Sequence, residues 1–544
     1  MTTMVKITID GQEIECRDRI PVLQAALEAG WDVPHYCYHP GLTVVASCRL
    51  CLMEMQMPHP KTGELGWAPK MFPACQMPVR DGLMLRFASE ALDDARSHCM
   101  EFFLLNHPLD CPVCDQAGEC YLQDYSYKFG RPTSRMADQK QVNPKKDIGP
   151  KTLLYADRCV MCSRCVRFAQ EISGTGELCV TSRGSRAEID VFPGLPLDNP
   201  LQGNVVDICP VGALLDKDFL FKQRVWDLES ADSICPGCST GCAIRVDAHD
   251  NIVQRLKPRY NPGVNDWWMC DEGRFGWKYV HDPDRLTRVQ VRRGAHTETP
   301  PWEELTDVLT MRFTEHVARH GSAGVAAMLS PMMSCEEAWL LAQFLQRVAP
   351  EAMLVLGPVP AGGEDQVFPI GASGQDVKFT IRSEKCPNRR GVETVLAGSG
   401  CATPSLDDFI ARVGRGEITA AWIVGGYPDK QWVPKALASA AGKIELLVTQ
   451  DLWSTKLTEA AAVSLPACTF AERSGSFINA QGRVQPFQAA IRPPDGCRRD
   501  GQVLYELAGH SGVYNAARVR ELMAATLSEF SEVTEAPPLP AHQH

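Results

Sequence analysis

At 544 residues, with 44% hydrophobic and 22% charged side chains, the chain is too long for one hydrophobic core and reads as several globular domains. A formal net charge of −11 argues against general nucleic-acid binding, and no apolar run approaches the roughly 18 residues needed to span a bilayer. The start alternates polar and apolar residues without a signal-peptide pattern, so the 23 cysteines are expected to be metal ligands in a reducing compartment rather than disulfides.

The run Val5-Lys6-Ile7-Thr8-Ile9 alternates like a strand, Asp10-Gly11 is a hairpin turn signal, and Glu13 to Cys16 returns as a second strand. Pro21 opens a short helix from Val22 to Ala29, which Gly30 ends. A hairpin and a helix followed by Cys37-x10-Cys48-x2-Cys51-x23-Cys75 resembles a plant-type [2Fe–2S] ferredoxin, although plant-type proteins begin with a shorter gap. Gly41, Ala46 and Ser47 are small enough to let the long first gap wrap a cluster so that backbone N–H groups reach the sulfurs. A zinc site or buried free thiols are the alternatives. The stretch from Pro58 to Pro73 reads as an enlarged turn, and Cys16 and Cys99 fit no set.

Residues 89–106 have helical periodicity, with Ser89 as a cap and Met100, Phe103 and Leu104 on an apolar face. His107-x3-Cys111-x2-Cys114-x5-Cys120 then places four potential ligands within 14 residues. A neutral imidazole in place of one thiolate leaves a cluster less negative and easier to reduce. His98 is the competing histidine, farther off on the helix. Residues 130–150 read as a linker or wrapping loop. Cys159-x2-Cys162-x2-Cys165 resembles half of a bacterial [4Fe–4S] ferredoxin, with Cys209-Pro210 as its fourth ligand; no second triad follows, so one cubane is expected. Cys179 is spare. Arg158, Arg164 and Arg167 flank the triad, and such charged side chains ordinarily form a solvated face. Cys235-x2-Cys238-x3-Cys242-x27-Cys270, with Gly237, Ser239, Thr240 and Gly241 between its ligands, is the fourth set and reads as another [4Fe–4S] site, a zinc ribbon being the alternative.

The first 270 residues hold 18 of the cysteines and the remaining 274 hold five. From about 285 the pattern changes. Buried-strand runs at 325–329, 420–426 and 444–449 alternate with helical stretches such as Ser334 to Arg347, which implies an α/β domain with a parallel sheet. Gly425-Gly426 after a strand is a weak phosphate-turn signal, and a plain turn is the simpler reading. Cys335, Cys386 and Cys401 are isolated and read as core residues. The Pro- and His-rich residues 535–544 read as a flexible tail.

In this order the sets resemble the large iron–sulfur subunit of the peripheral arm of respiratory complex I, the G or 75-kDa type. The stretches that carry the resemblance are His35-Tyr36-Cys37-Tyr38-His39-Pro40, Ser47-Cys48-Arg49-Leu50-Cys51, Asn106-His107-Pro108-Leu109-Asp110-Cys111, Arg158-Cys159-Val160-Met161-Cys162, Cys209-Pro210-Val211-Gly212 and Ala471-Glu472-Arg473-Ser474-Gly475. The resemblance implies a [2Fe–2S] ferredoxin-like domain at 1–85, a [4Fe–4S] domain with one histidine and three cysteine ligands at 86–145, a [4Fe–4S] ferredoxin-like domain at 146–225 and a molybdopterin-oxidoreductase-type [4Fe–4S] domain at 228–284. A degenerate molybdopterin-oxidoreductase-like α/β domain at 285–534, without molybdenum, would follow. It further implies an electron carrier with no catalytic residue of its own, between an NADH/FMN-binding subunit and quinone-side iron–sulfur subunits, beside a small [2Fe–2S] subunit. Such a chain lies in the cytoplasm on the inner face of the bacterial plasma membrane, touching the membrane only through the complex. The insert between Cys51 and Cys75 is longer than usual in the family, and the back half is shorter.

Two other classes share parts of this pattern. Molybdenum-dependent formate dehydrogenases carry the same N-terminal rack, but place a lysine where Glu272 stands in Cys270-Asp271-Glu272-Gly273-Arg274. Iron-only hydrogenases need a further cysteine-rich domain. A non-catalytic, zinc-stapled scaffold is the third possibility, against which the mixed His/Cys set and the Cys-Pro ending count.

Overall fold

The computed structural model describes residues 3–294 and 296–537. Most of the proposed flexible tail, residues 538–544, lies outside the described residues. The chain divides into two compact units, one reaching to Leu228 and including Val367–Phe379, the other made of Glu229–Gln366 and Thr380–Ala536.

In the first unit the opening hairpin forms as the alternation requires. Met4–Ile9 pairs antiparallel with Gln12–Arg17, and Asp10 and Gly11 both take positive φ, the backbone a two-residue hairpin loop needs. Val5, Ile7 and Ile9 point inward with Val22, Leu23, Ala25 and Ala26 of the helix Val22–Glu28. Met84–Arg86 pairs parallel to the first strand and antiparallel to Leu52–Pro58. The stretch after Pro58 is not an open loop: Leu65–Trp67 folds back on Leu52–Pro58 as a hairpin arm. All three of its residues are exposed, so it carries no alternation by which a strand would show itself.

Ser89 caps the helix Glu90–Leu104, its hydroxyl accepting from the Leu92 N–H at 3.2 Å. Met100 is buried on this helix, whereas Phe102 is 73% exposed. Beyond it, Lys145–Asp147, Thr152–Tyr155 and Leu214–Asp216 form a three-stranded antiparallel sheet. The short helix Arg164–Phe168 runs into a π-type turn, Ala169–Ser173, a local widening that recurs at functional sites. Val367–Phe379 belongs to this unit because the Ile370 N–H donates to the Ser173 carbonyl at 3.0 Å.

The second unit starts with an antiparallel meander, Glu229–Ile234, Ala243–His249 and Ile252–Pro258. Its main sheet has seven strands. Met353–Leu356, Val325–Leu329, Ala420–Val424, Leu446–Asp451 and Val463–Pro466 run parallel, and Gln290–Arg293 and His296–Glu298 add an antiparallel edge. The strands Val325–Leu329 and Ala420–Val424 are buried throughout, as expected for a sheet covered on both faces. Ser334 and Glu337 close a capping box on the helix Cys335–Val348. Buried ion pairs tie the unit together: Arg285 meets both oxygens of Glu472 at 2.7 and 2.8 Å, and Arg473 bridges Glu337 and Asp500. The Gly425-Gly426 turn is a plain one. Gly426 N–H donates to the Asp451 carboxylate, which also lies where a Cβ on Gly425 would be and so fills the space a phosphate would need.

Candidate metal centres

The first set is assembled in the loop between the helix Val22–Glu28 and the strand Leu52–Pro58. Cys37, Cys48, Cys51 and Cys75 are all buried. Cys37 Sγ lies 3.5 Å from Cys48 Sγ, Cys75 also bonds both Cys37 and Cys51, and the Tyr36 N–H approaches Cys48 Sγ at 3.4 Å. Hydrogen bonds from Cys48 and Cys75, aided by the Ser47 and Cys48 N–H groups, hold the Cys37 thiol far below its usual range. The tight positions of the loop are Ala46 (φ 51) and Arg49 (φ 58), two non-glycine residues in the left-handed region.

The second set is more open. Cys114 and Cys120 are buried, Cys111 is exposed, and the turn Cys111–Val113 brings the Cys114 N–H back to the Cys111 carbonyl at 3.3 Å. Burial pushes the Cys114 and Cys120 thiols up. His107 sits in the field of the same guanidinium as Cys114, that of Arg158. Burial, then Arg158 and Lys140, hold the His107 imidazole down at about 4, so it is neutral at physiological pH with a lone pair to offer. His98 stands on an exposed surface, bonded to the Asp94 carbonyl at 2.8 Å and facing Arg131.

Cys159, Cys162, Cys165 and Cys209 line one small cavity. Met161 and Ser163, at φ 51 and 58, turn the chain so that successive cysteines face inward. The Met161 N–H reaches Cys159 Sγ at 3.3 Å, and N–H groups of Val211, Ala213 and Leu214 address Cys209. Burial raises all four thiols, Cys162 to about 11, while Arg164 pulls Cys162 and Cys209 back.

Arg158, Arg164 and Arg167 do not form a solvated face. They are 2%, 5% and 5% exposed. Arg158 grips Asp110 at 2.6 Å and reaches the Gly212 carbonyl, while Gly212 itself touches Cys114 Sγ so closely that any Cβ there would collide. Arg164 donates to the carbonyls of Tyr38 and Ile208. Arg167 donates to the carbonyls of Cys37 (2.5 Å), Cys162 (3.2 Å) and Thr43, so one guanidinium spans ligand residues of two sets. Their lengths and charge suggest solvation; the signal that could have revealed them is their position inside and directly beside a cysteine triad that must itself be buried.

In the second unit Cys235, Cys238, Cys242 and Cys270 are buried together, with the Cys235 N–H donating to the Cys242 carbonyl at 2.9 Å. Gly237 and Gly273 N–H groups approach Cys235 Sγ and Cys270 Sγ at 3.5 and 3.4 Å. Burial, then neighbouring sulfurs, drives Cys235 well up and Cys270 to about 12. Asn479 and Gln485 brace the loop by donating to the Thr240 and Gly241 carbonyls at 3.2 and 3.0 Å. Cys16, Cys335 and Cys386 are in apolar cores, and Cys99 and Cys179 approach backbone carbonyls.

The donor sets fit iron–sulfur clusters: grouped soft sulfurs, one neutral imidazole, and backbone N–H groups directed at sulfur. Comparison with known proteins agrees. Residues 2–90 match the family model of a 2Fe-2S iron-sulfur cluster binding domain, 96–135 that of an NADH-ubiquinone oxidoreductase-G iron-sulfur binding region, and 149–215 that of the NADH-quinone oxidoreductase subunit 3 ferredoxin-like domain. Residues 228–282 match the molybdopterin oxidoreductase Fe4S4 domain and 401–510 molybdopterin oxidoreductase. The molecule is thus an iron–sulfur protein with both [2Fe–2S]- and [4Fe–4S]-binding domains.

The G subunit of NADH-quinone oxidoreductase from Rickettsia felis is 36% identical over 97% of this chain and 92% of its own length, and that of Rickettsia prowazekii is 34% identical over 97% and 91%. The NADH-ubiquinone oxidoreductase 75 kDa subunit of Reclinomonas americana is 32% identical over 66% of this chain and 50% of its own. The chain belongs to the family of NADH-quinone oxidoreductase G subunits and is an electron-transfer subunit of complex I.

Proposed function

We propose that this chain conducts electrons one at a time from an NADH/FMN-binding subunit, beside a small [2Fe–2S] subunit, toward quinone-side iron–sulfur subunits. Its place is the peripheral arm, on the cytoplasmic face of the bacterial plasma membrane. Among the described residues no helix is long and apolar enough to cross a membrane. In this reading Cys37, Cys48, Cys51 and Cys75 hold a [2Fe–2S] cluster. His107 with Cys111, Cys114 and Cys120, Cys159 with Cys162, Cys165 and Cys209, and Cys235 with Cys238, Cys242 and Cys270 each hold a [4Fe–4S] cluster. Bound there, these clusters supply reversible one-electron redox chemistry.

The observation that carries the reading is Arg167, whose guanidinium meets the carbonyls of Cys37 and Cys162. A buried cation held between two sulfur sets fixes their loops against one another and favours the reduced, more negative state of each. The remaining residues exclude water and aim N–H dipoles at sulfur. Next to the exposed Cys111, Leu109 (86% exposed) and Val113 (56%) offer apolar surface for a neighbouring subunit.

Elemental analysis of the anaerobically purified chain tests the assignment. One binuclear and three cubane clusters require about 14 iron atoms per chain. About 10 removes one cubane from the assignment. Stoichiometric zinc or molybdenum in place of iron overturns it.

A further inference from the structure

The second unit contains a cavity of about 470 Å³ beside the Cys235 set, a volume in the range of small-molecule sites. Its walls carry Trp277, Tyr279, Tyr427 and Trp432 together with several prolines. Tyr427 and Trp432 stack on each other with ring centroids 4.6 Å apart. The polar ends of both are already engaged, the Tyr427 hydroxyl donating to the Pro358 carbonyl at 2.7 Å and the Trp432 N–H to Asp451 at 2.9 Å. What these two residues leave for a ligand is ring surface and C–H.

The charge of the lining points the same way. Among the described residues no arginine lines the cavity, and its lysine, Lys385, is paired with Glu272 at 2.5 Å. Asp429 adds a second carboxylate, so an anion entering here meets two negative groups and one cation already satisfied. Next to the metal set the lining includes Gly237 and Gly273, beside Pro236 and Glu272. A Cβ on Gly273 would come within 2.7 Å of Cys235 Sγ, and one on Gly237 within 3.5 Å.

We propose that this cavity binds an uncharged, flat, fused-ring aromatic molecule, held by aromatic and proline surfaces, with Gly237 and Gly273 lying between it and Cys235. The site goes beyond the electron-carrier reading and does not depend on whether the Cys235 set holds a cluster. Its measurement is binding, whereas the cluster assignment is tested by iron content.

Equilibrium dialysis of the full chain against 2-naphthol, with 2-naphthyl phosphate as its anionic counterpart, tests the proposal. Saturable binding of 2-naphthol at one site per chain is expected, with the phosphate at least about tenfold weaker. Gly276 lines the cavity at φ −75, where a Cβ meets no atom within 4 Å, so Gly276→Leu should fill space without a clash. Val359→Trp narrows the cavity from another part of its lining. Each substitution should weaken 2-naphthol binding by about tenfold or more while leaving the thermal midpoint unchanged. Absence of saturable binding, or binding unaffected by both filling variants, overturns the site. Phosphate binding as tight as naphthol binding overturns the ligand class.

Discussion

The Cys159 and Cys235 sets use nearly the same ligand pattern, three close cysteines and a distant fourth, yet their surroundings differ in sign. Around the first, three buried arginines donate to carbonyls of the ligand loops, and Arg164 draws Cys162 and Cys209 down against the effect of burial. Around the second, the groups that follow burial in raising Cys235 and Cys270 are other sulfurs and the carboxylates of Glu272 and Asp271. The bracing there is by neutral amides, Asn479 and Gln485, and Lys385 is matched by Glu272. A cluster gains negative charge on reduction, so the first environment is expected to assist reduction more than the second, where Lys385 faces Cys238 and Cys270 but is paired with Glu272. Ligand type alone does not set the role of a site.

The sharpest break of this comparison is Cys162→Ser. It should abolish NADH-to-quinone electron transfer in the assembled complex, by more than the ~10–100-fold that loss of a supporting contact brings. Ferricyanide reduction at the flavin should remain. The corresponding Cys238→Ser in the second environment should leave most quinone reduction in place; equal losses from both substitutions would erase the distinction.

Arg167→Gln should come next, because it strands the buried carbonyls of Cys37 and Cys162 and removes the bond to the Thr43 carbonyl. A stability loss of about 3 kcal/mol is expected in chemical denaturation, with lower midpoints for the [2Fe–2S] and adjacent [4Fe–4S] signals in an EPR-monitored titration. Unchanged midpoints would reduce Arg167 to a structural brace. His107→Cys should retain a cluster and shift its midpoint down by on the order of 100 mV, since a thiolate adds a negative charge that the neutral imidazole lacks; an unmoved midpoint removes His107 from the ligand set.

A smaller effect belongs to the second unit. Burial raises the Asp451 carboxyl from 3.8 to about 6. Between those values the folded state binds more protons than the unfolded one, so Asp451's contribution to stability is greatest below pH 3.8 and falls until about pH 6, by at most about 3 kcal/mol. Denaturant titrations across this window should show the slope, and Asp451→Asn should flatten it. Smallest of all is Lys385→Gln, which breaks a pair whose Glu272 partner is 54% exposed. A loss under about 1 kcal/mol is expected there, against the larger loss at Arg167, and comparable losses would show that the two environments are equally committed to their cations.

Local features were legible because local chemistry specifies them. Asp10-Gly11 takes the two positive φ angles of a tight hairpin, and Ser89 caps its helix from the position the spacing predicts. Leu65–Trp67 escaped because a strand exposed on both faces has no hydrophobic period. The pairing of Val367–Phe379 with the first unit escaped because it rests on backbone contacts such as Ile370 with Ser173 and Gly174, which any residue type could make.

By itself the sequence picked out the candidate ligands, since thiolate and imidazole are chemically distinctive and most of them stand close together in the chain, and it determined the alternating helices and strands of the back half through their periodicity. Only the tertiary structure decided what each sulfur set faces. An arginine has the same formula on a surface as in a core, and whether Arg164 and Arg167 meet water or the carbonyls of Tyr38 and Cys37 depends on chain brought in from more than a hundred residues away.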